Sequence, residues 1–222
     1  MPSPVVHAGV AFLVGVGLLG TYYDRRALLV IVGLLLVPEI DTLAGLVLEG
    51  AHRSLLHTLL LPIALAPLLY WDTVRKESWL RERVGGYGVR LAWVGLFVHM
   101  FVQIGLDWSH LDGVNLFYPL LDRFFKLDGE AYLSTADGFV QTFVQVGTDP
   151  ETGSPRVDVG QGGTTKTTHV ANPAQPSKEP EPGPVDRRAP IAVRGWQLFL
   201  VVAGLVTVAA KHLQGAPPEG DA

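Results

Sequence analysis

Residues 27–41 read ALLVIVGLLLVPEID, an unbroken apolar run from Ala27 to Val37 closed by Pro38-Glu39-Ile40-Asp41. The run has neither strict alternation nor a polar helical face, the pattern of a helix with apolar surroundings on every side. The next apolar run opens on His52-Arg53-Ser54-Leu55-Leu56-His57. Asp, Glu and His are costly at membrane depth and mark functional sites there. Carboxylate oxygen and imidazole nitrogen are also the ligand set of a hydrolytic divalent ion such as zinc. The stretch predicts an all-α, multi-pass transmembrane helical bundle with a metal site at one face of the bilayer.

Composition agrees. The chain is 48% hydrophobic and only 17% charged, with a mean hydropathy of +0.29, and its apolar residues are bunched. Its net charge of −4 and lack of a basic cluster give no reason to expect nucleic acid. Without cysteine, a metal must be held by His, Asp and Glu. The first apolar segment lacks the basic start and small-residue cleavage pattern of a signal peptide and reads as a retained helix.

Five membrane helices are expected. Val5–Gly20 is the first, with Tyr22 and Tyr23 as belt residues. Ala27–Val37 is the second, and Thr42–Leu48 either continues it or bends away. Leu55–Trp71 is the third, with Ser54 as its expected cap. Val89–Trp108 is the fourth and Gly195–Ala210 the fifth. Residues 126–147 alternate aromatic and polar side chains and suit a short helix or a hairpin. Residues 148–190 are rich in Gly, Pro, Thr, Lys and Glu, and predict a disordered linker. The organisation expected is a membrane-embedded domain over 1–147, a linker over 148–190, a C-terminal helix over 191–212 and a polar tail over 213–222.

The basic residues orient the chain. Arg25 and Arg26 follow the first span, and Arg75, Lys76, Arg81, Arg83 and Arg90 follow the third, whereas only Arg53 lies after the second. By the positive-inside rule the first and third connections are cytoplasmic. His7, Glu39, Asp41, His52, Arg53, His57, Asp107 and His110 then fall near one extracytoplasmic face of the cell membrane. Arg187, Arg188 and Arg194 speak against this orientation, but they follow a long loop, which weighs less. His99, Gln103 and Asp107 step by four along one helix face. At about 1.5 Å per residue, His99 lies roughly 12 Å from Asp107, too deep to share its ion.

Pro38-Glu39-Ile40-Asp41, His52-Arg53-Ser54-Leu55-Leu56-His57-Thr58 and Asp107 followed by Gly113-Val114 and Tyr118-Pro119 resemble the YdjM-like family, described as membrane-bound metal-dependent hydrolases distantly related to zinc phospholipase C. The resemblance covers about residues 5 to 145. It departs at Glu39, where an Asp is usual, at Ser54 for Gly and Thr58 for Ser, and at Gln103, where the family has His.

The resemblance implies that His7, Asp41, His52, His57, Asp107 and His110 are candidate ligands of one or more divalent ions, zinc first among them. Glu39 is then a ligand or general base, and Arg53 a group that orients phosphate. A site at the lipid boundary points to a phosphoester or lipid-like substrate, with membrane lipids as partners. Plainer roles exist: His7 as an interfacial histidine, Arg53 as a headgroup anchor, Asp107 as an ion-pair partner of Arg53, and His110 and Asp112 as loop residues. A transporter or a structural scaffold is the alternative class; a transporter should carry polar residues through the membrane and often a repeated helix set, and no repeat is evident.

Overall fold

The computed structural model describes residues 3–47, 50–110, 112–149, 152–172, 175, 177, 179, 183, 184 and 188–214. Most of the polar tail expected over 213–222, and Arg187 of the basic group before the last helix, lie outside these residues. The chain divides into two compact units.

The first unit is helical and takes in residues 3–40, 61–103 and 188–214. Helix α1 (Pro4–Leu19) starts at Ser3, whose hydroxyl accepts from the Val6 amide at 3.3 Å, with Pro4 in the first turn. Helix α2 (Arg25–Leu36) is capped by Asp24, whose carboxylate accepts from the Ala27 amide at 2.6 Å. A 3-10 turn, Pro38–Ile40, follows it and leads to the four-residue helix α3 (Asp41–Ala44), which begins the second unit. Helix α4 is Leu60–Thr73, and α5 is Trp79–Phe97, capped by Ser78. A π-helical segment, Val98–Ile104, links α5 to the short α6 (Gly105–Trp108).

Four helical stretches among the described residues are long and apolar enough to cross a membrane: Pro4–Tyr22, Arg25–Ala44, Trp79–Trp108 and Gly195–Leu213. The expected third span is not among them. Its apolar run divides, with residues 55–59 in irregular turns and only the 14 residues of α4 helical. Ser54 caps no helix; its hydroxyl donates to the Gly50 carbonyl at 2.8 Å. The Leu60 amide instead donates to the Thr58 hydroxyl at 3.2 Å, which shifts the helix start past His57.

The second unit takes in residues 41–60 and the described residues from 104 to 184. It carries two antiparallel hairpins, so the fold is mostly helical rather than all-α. Strands β1 (Ala131–Ser134) and β2 (Gly138–Gln141) pair with Leu133 opposite Phe139. Strands β3 (Gln145–Thr148) and β4 (Pro155–Asp158) pair with Val146 opposite Val157. The alternation over 126–147 thus follows the period of a strand.

Strand β4 also lies inside the stretch expected to be an unstructured linker. Beyond it, Thr165 is tied to Asp122 through its amide at 2.9 Å and its hydroxyl at 2.7 Å. Side chain-to-backbone hydrogen bonds hold this polar segment, a source of order that an argument from buried apolar area does not count. A small core of Ile104, Val114 and Leu116, packed by Leu59, Trp108, Phe117 and Phe125, anchors the unit.

Helix α7 (Gly195–Leu213) packs along α1 within the helical unit. The contact is backbone to backbone. A Cβ on Gly9 would stand 2.8 Å from Val201 Cα, and one on Gly204 would stand 2.2 Å from the Gly9 carbonyl oxygen. Lipid tails are as apolar as leucine, so membrane helices associate through close approach of this kind rather than through apolar burial. Gly204→Leu is expected to destabilise the protein by about 1–3 kcal/mol, the usual cost of overpacking. Gly17→Leu, where a Cβ meets nothing within 4 Å, is expected to leave stability unchanged; thermal unfolding of the two variants in one detergent checks the pair.

Candidate functional site

Asp41 opens α3 and is almost fully buried, at 1% exposure. Its Oδ1 lies 2.8 Å from His52 Nδ1, and its Oδ2 lies 2.8 Å from His57 Nδ1 and accepts from the Arg53 amide at 3.0 Å. A carboxylate buried in apolar surroundings persists only when paired and hydrogen-bonded. Here two imidazoles and one amide supply the partners. The Thr42 hydroxyl also stands 3.1 Å from His52 Nδ1. With its Nδ1 facing a carboxylate, each ring can donate to Asp41, and its Nε2 is turned away from that carboxylate.

The four residues between the two histidines do not follow a helix. Arg53 takes the left-handed conformation, φ 61°, rare for a residue with a side chain. The turn is fixed by Ser54 bonding back to Gly50 and Ala51. It is also stitched to residues 113–116. The Asn115 amide donates to the Arg53 carbonyl at 2.9 Å, and the Leu59 amide and Thr58 hydroxyl both donate to the Leu116 carbonyl.

Arg53 is fully buried. Its Nη2 pairs with Asp107 Oδ1 at 2.9 Å and its Nη1 donates to the Gly113 carbonyl at 3.1 Å. Gly113 holds φ 69°, and a Cβ there would meet the Phe125 carbonyl oxygen at 2.3 Å, so only glycine fits. His57 Nε2 lies 3.3 Å from Asp107 Oδ2. Asp41, His52, Arg53, His57 and Asp107 thus form one buried network, and the ion pair between Arg53 and Asp107 that the sequence allowed is present. His52 Nε2 is buried and has no hydrogen-bond partner among the described residues.

His110, in the turn after α6, is also buried, with its Nδ1 3.7 Å from Asp112 Oδ2. His110 beside it, and Arg53 at longer range, hold the Asp112 carboxyl below the usual carboxylate range against its partial burial. His7 and Glu39 belong to the helical unit. His7 is buried in the first turn of α1 with Nδ1 3.0 Å from the Ser3 carbonyl. Glu39 accepts from the Gln103 amide at 2.9 Å, and Gln103 is fully buried in the π-helical segment, a feature frequent at functional sites.

Among the described residues, no group of three or more His, Asp or Glu side chains has the arrangement of a ready metal site. The residues fit an ion in kind: two imidazoles oriented through Nδ1 by one carboxylate, a buried orphan nitrogen on His52, and a second carboxylate facing His57 Nε2. The sequence reading quoted Gly113 only as part of the family motif and missed Thr42 and Asn115, all three of which support the network. Only their nearness to the motif residues could have signalled them.

The family model of the YdjM inner membrane protein matches residues 1–159, well over half of the chain, and the chain belongs to that family. No curated protein matches it, and no solved structure does. Membership and the apolar helices together make it a membrane protein. Arg53→Met, which leaves Asp107 buried without its cation, is expected to cost about 3–5 kcal/mol. Adding Asp107→Asn is expected to recover part of that loss; a double-mutant cycle on thermal or denaturant unfolding measures the coupling.

Proposed function

We propose that this member of the YdjM inner membrane protein family is a membrane-bound metal-dependent hydrolase acting on a phosphoester or lipid-like substrate. The observation that carries the reading is the Asp41 carboxylate holding both His52 and His57 by Nδ1. A carboxylate in that position fixes the tautomer and raises the basicity of a metal-ligating histidine. His52, His57 and Asp107 would hold the ion, zinc first among the candidates, with His110 as a further donor. When bound, it would supply Lewis acidity toward a phosphoryl oxygen and toward water.

The chain's own residues have separable roles in this reading. Asp41 accepts from Nδ1 of both rings and leaves each Nε2 turned away from itself, where it would face the ion. Arg53 is a positioning residue: its guanidinium is occupied by Asp107 and the Gly113 carbonyl rather than left open for a phosphate. It holds Asp107 toward His57. Glu39, with one oxygen fixed by Gln103 within the helical unit, is the general-base candidate that the resemblance implies. The basic residues of the first and third connections support a multi-pass protein whose site faces the extracytoplasmic side.

One observation favours a second reading. The side chains of Asp41, His52, His57, Arg53 and Asp107 pair with one another, as in a scaffold that uses buried charge to fix one arrangement of its segments.

Metal content decides between the two. The detergent-purified full chain, reloaded with zinc or manganese and measured by plasma mass spectrometry, is expected to hold near-stoichiometric ion. His52→Ala and His57→Ala are expected to lose it, and Asp41→Asn to bind about 10–100-fold more weakly. Hydrolysis of a chromogenic phosphodiester is expected to fall in the same order. A well-folded wild type that takes up no ion sinks the hydrolase and leaves the scaffold.

A further inference from the structure

The helical unit carries a second feature, independent of the polar network. An apolar groove of about 410 Å³ is lined by α1, α4, the C-terminal half of α5 and the π-helical segment. Leu18, Ala66, Trp93 and Phe97 line it, and Arg90 stands at one end and Phe101 at the other. Phe97 and Phe101 stack with ring centroids 4.6 Å apart. Arg90 is the one charged residue of the lining, and it is exposed. Its Nε donates to the Leu18 carbonyl at 2.7 Å, which fixes the guanidinium by one edge and leaves its terminal nitrogens to face an incoming group.

The dimensions fit a particular occupant. Arg90 and Phe101 are eleven residues apart, about 16 Å along a helix. That is about half of the ~30 Å hydrocarbon core, the depth of one leaflet. A groove with a cation at one end and aromatic rings one leaflet away matches a single acyl chain whose headgroup is anionic. Arg75 and Lys76 lie in the connection that leads into α5, and Arg81 lies in its first turn, adding positive charge ahead of Arg90 in the chain.

We propose that this groove is a binding site for one anionic phospholipid, with an acyl chain along Trp93 and Phe97 and the headgroup phosphate on the Arg90 guanidinium. A guanidinium offers a phosphate two parallel donors, which a zwitterionic headgroup engages less well because its own ammonium opposes the cation.

The test is native mass spectrometry of the full chain released from vesicles of equimolar phosphatidylglycerol and phosphatidylcholine with identical acyl chains. Wild type is expected to retain one phosphatidylglycerol, with about a fivefold preference over phosphatidylcholine, the worth of one basic residue beside an anionic headgroup. Arg90→Gln is expected to bring that ratio to about one, and Arg90→Lys to keep most of it. Ala66→Trp, which fills the groove, is expected to lose retained lipid of both kinds, and Arg83→Gln to behave as wild type. Equal retention of the two lipids by wild type overturns the proposal, as does an undiminished preference in Arg90→Gln. A dimer mass in wild type that Ala66→Trp abolishes would also overturn it, because the groove would then be a contact between copies of the chain.

Discussion

A carboxylate with 1% exposure needs compensation from the protein itself, and the Asp41 side chain dictates much of the second unit. Its partners are 11, 12 and 16 residues away, too close in sequence for a separate element and too far for one helical turn. The chain meets this demand with an irregular turn that places two imidazoles and an amide on one carboxylate. Arg53 is the residue at which the turn is most constrained. Its backbone amide serves Asp41 while its side chain serves Asp107, and the left-handed φ of 61° accompanies that double duty. Strain of this kind persists only where surrounding contacts over-determine it. Here the contacts are the Asn115 amide on the Arg53 carbonyl and the Gly113 carbonyl on its guanidinium.

The helical unit answers to a different constraint. In lipid, burial of apolar side chains gives helices little reason to associate, so α1 and α7 meet through glycine backbones. The family match ends at residue 159, and α7 begins at Gly195. Gly9 therefore lies in the matched part and Gly204 beyond it. Ser3 reinforces the contact by donating to the Ile191 carbonyl just before α7.

Much of this was legible in the sequence where a residue's cost decides its place. Apolar runs without a polar face gave four of the five expected membrane helices, because no soluble arrangement of Ala27–Val37 hides that surface. Asp41, His52, His57 and Asp107 were legible as a group because charge and imidazole among apolar neighbours must find partners. The pairing of Arg53 with Asp107 was legible as an alternative. What sequence could not show is geometry that depends on a few hydrogen bonds. The start of α4 moved from Ser54 to Leu60 because Thr58 binds the Leu60 amide and Leu116 together. The hairpins were half legible: alternation over 126–147 allowed them, but the pairing of β3 with β4 lay in a segment whose composition argued against order. Thr42, Gly113 and Asn115 have no chemistry of their own that marks them, and their roles follow from where the turn brings them.

Gln103 bears on how the family's pattern is used in this chain. Where the family has a histidine, a carboxamide donates to Glu39. An amide can orient a carboxylate as an imidazole can, but it neither gains a proton near neutral pH nor offers a basic nitrogen to an ion. The substitution therefore preserves the direction of Glu39 while removing a titratable group from the helical unit. Within the second unit, Asp41 holds His52 and His57, and Arg53 holds Asp107.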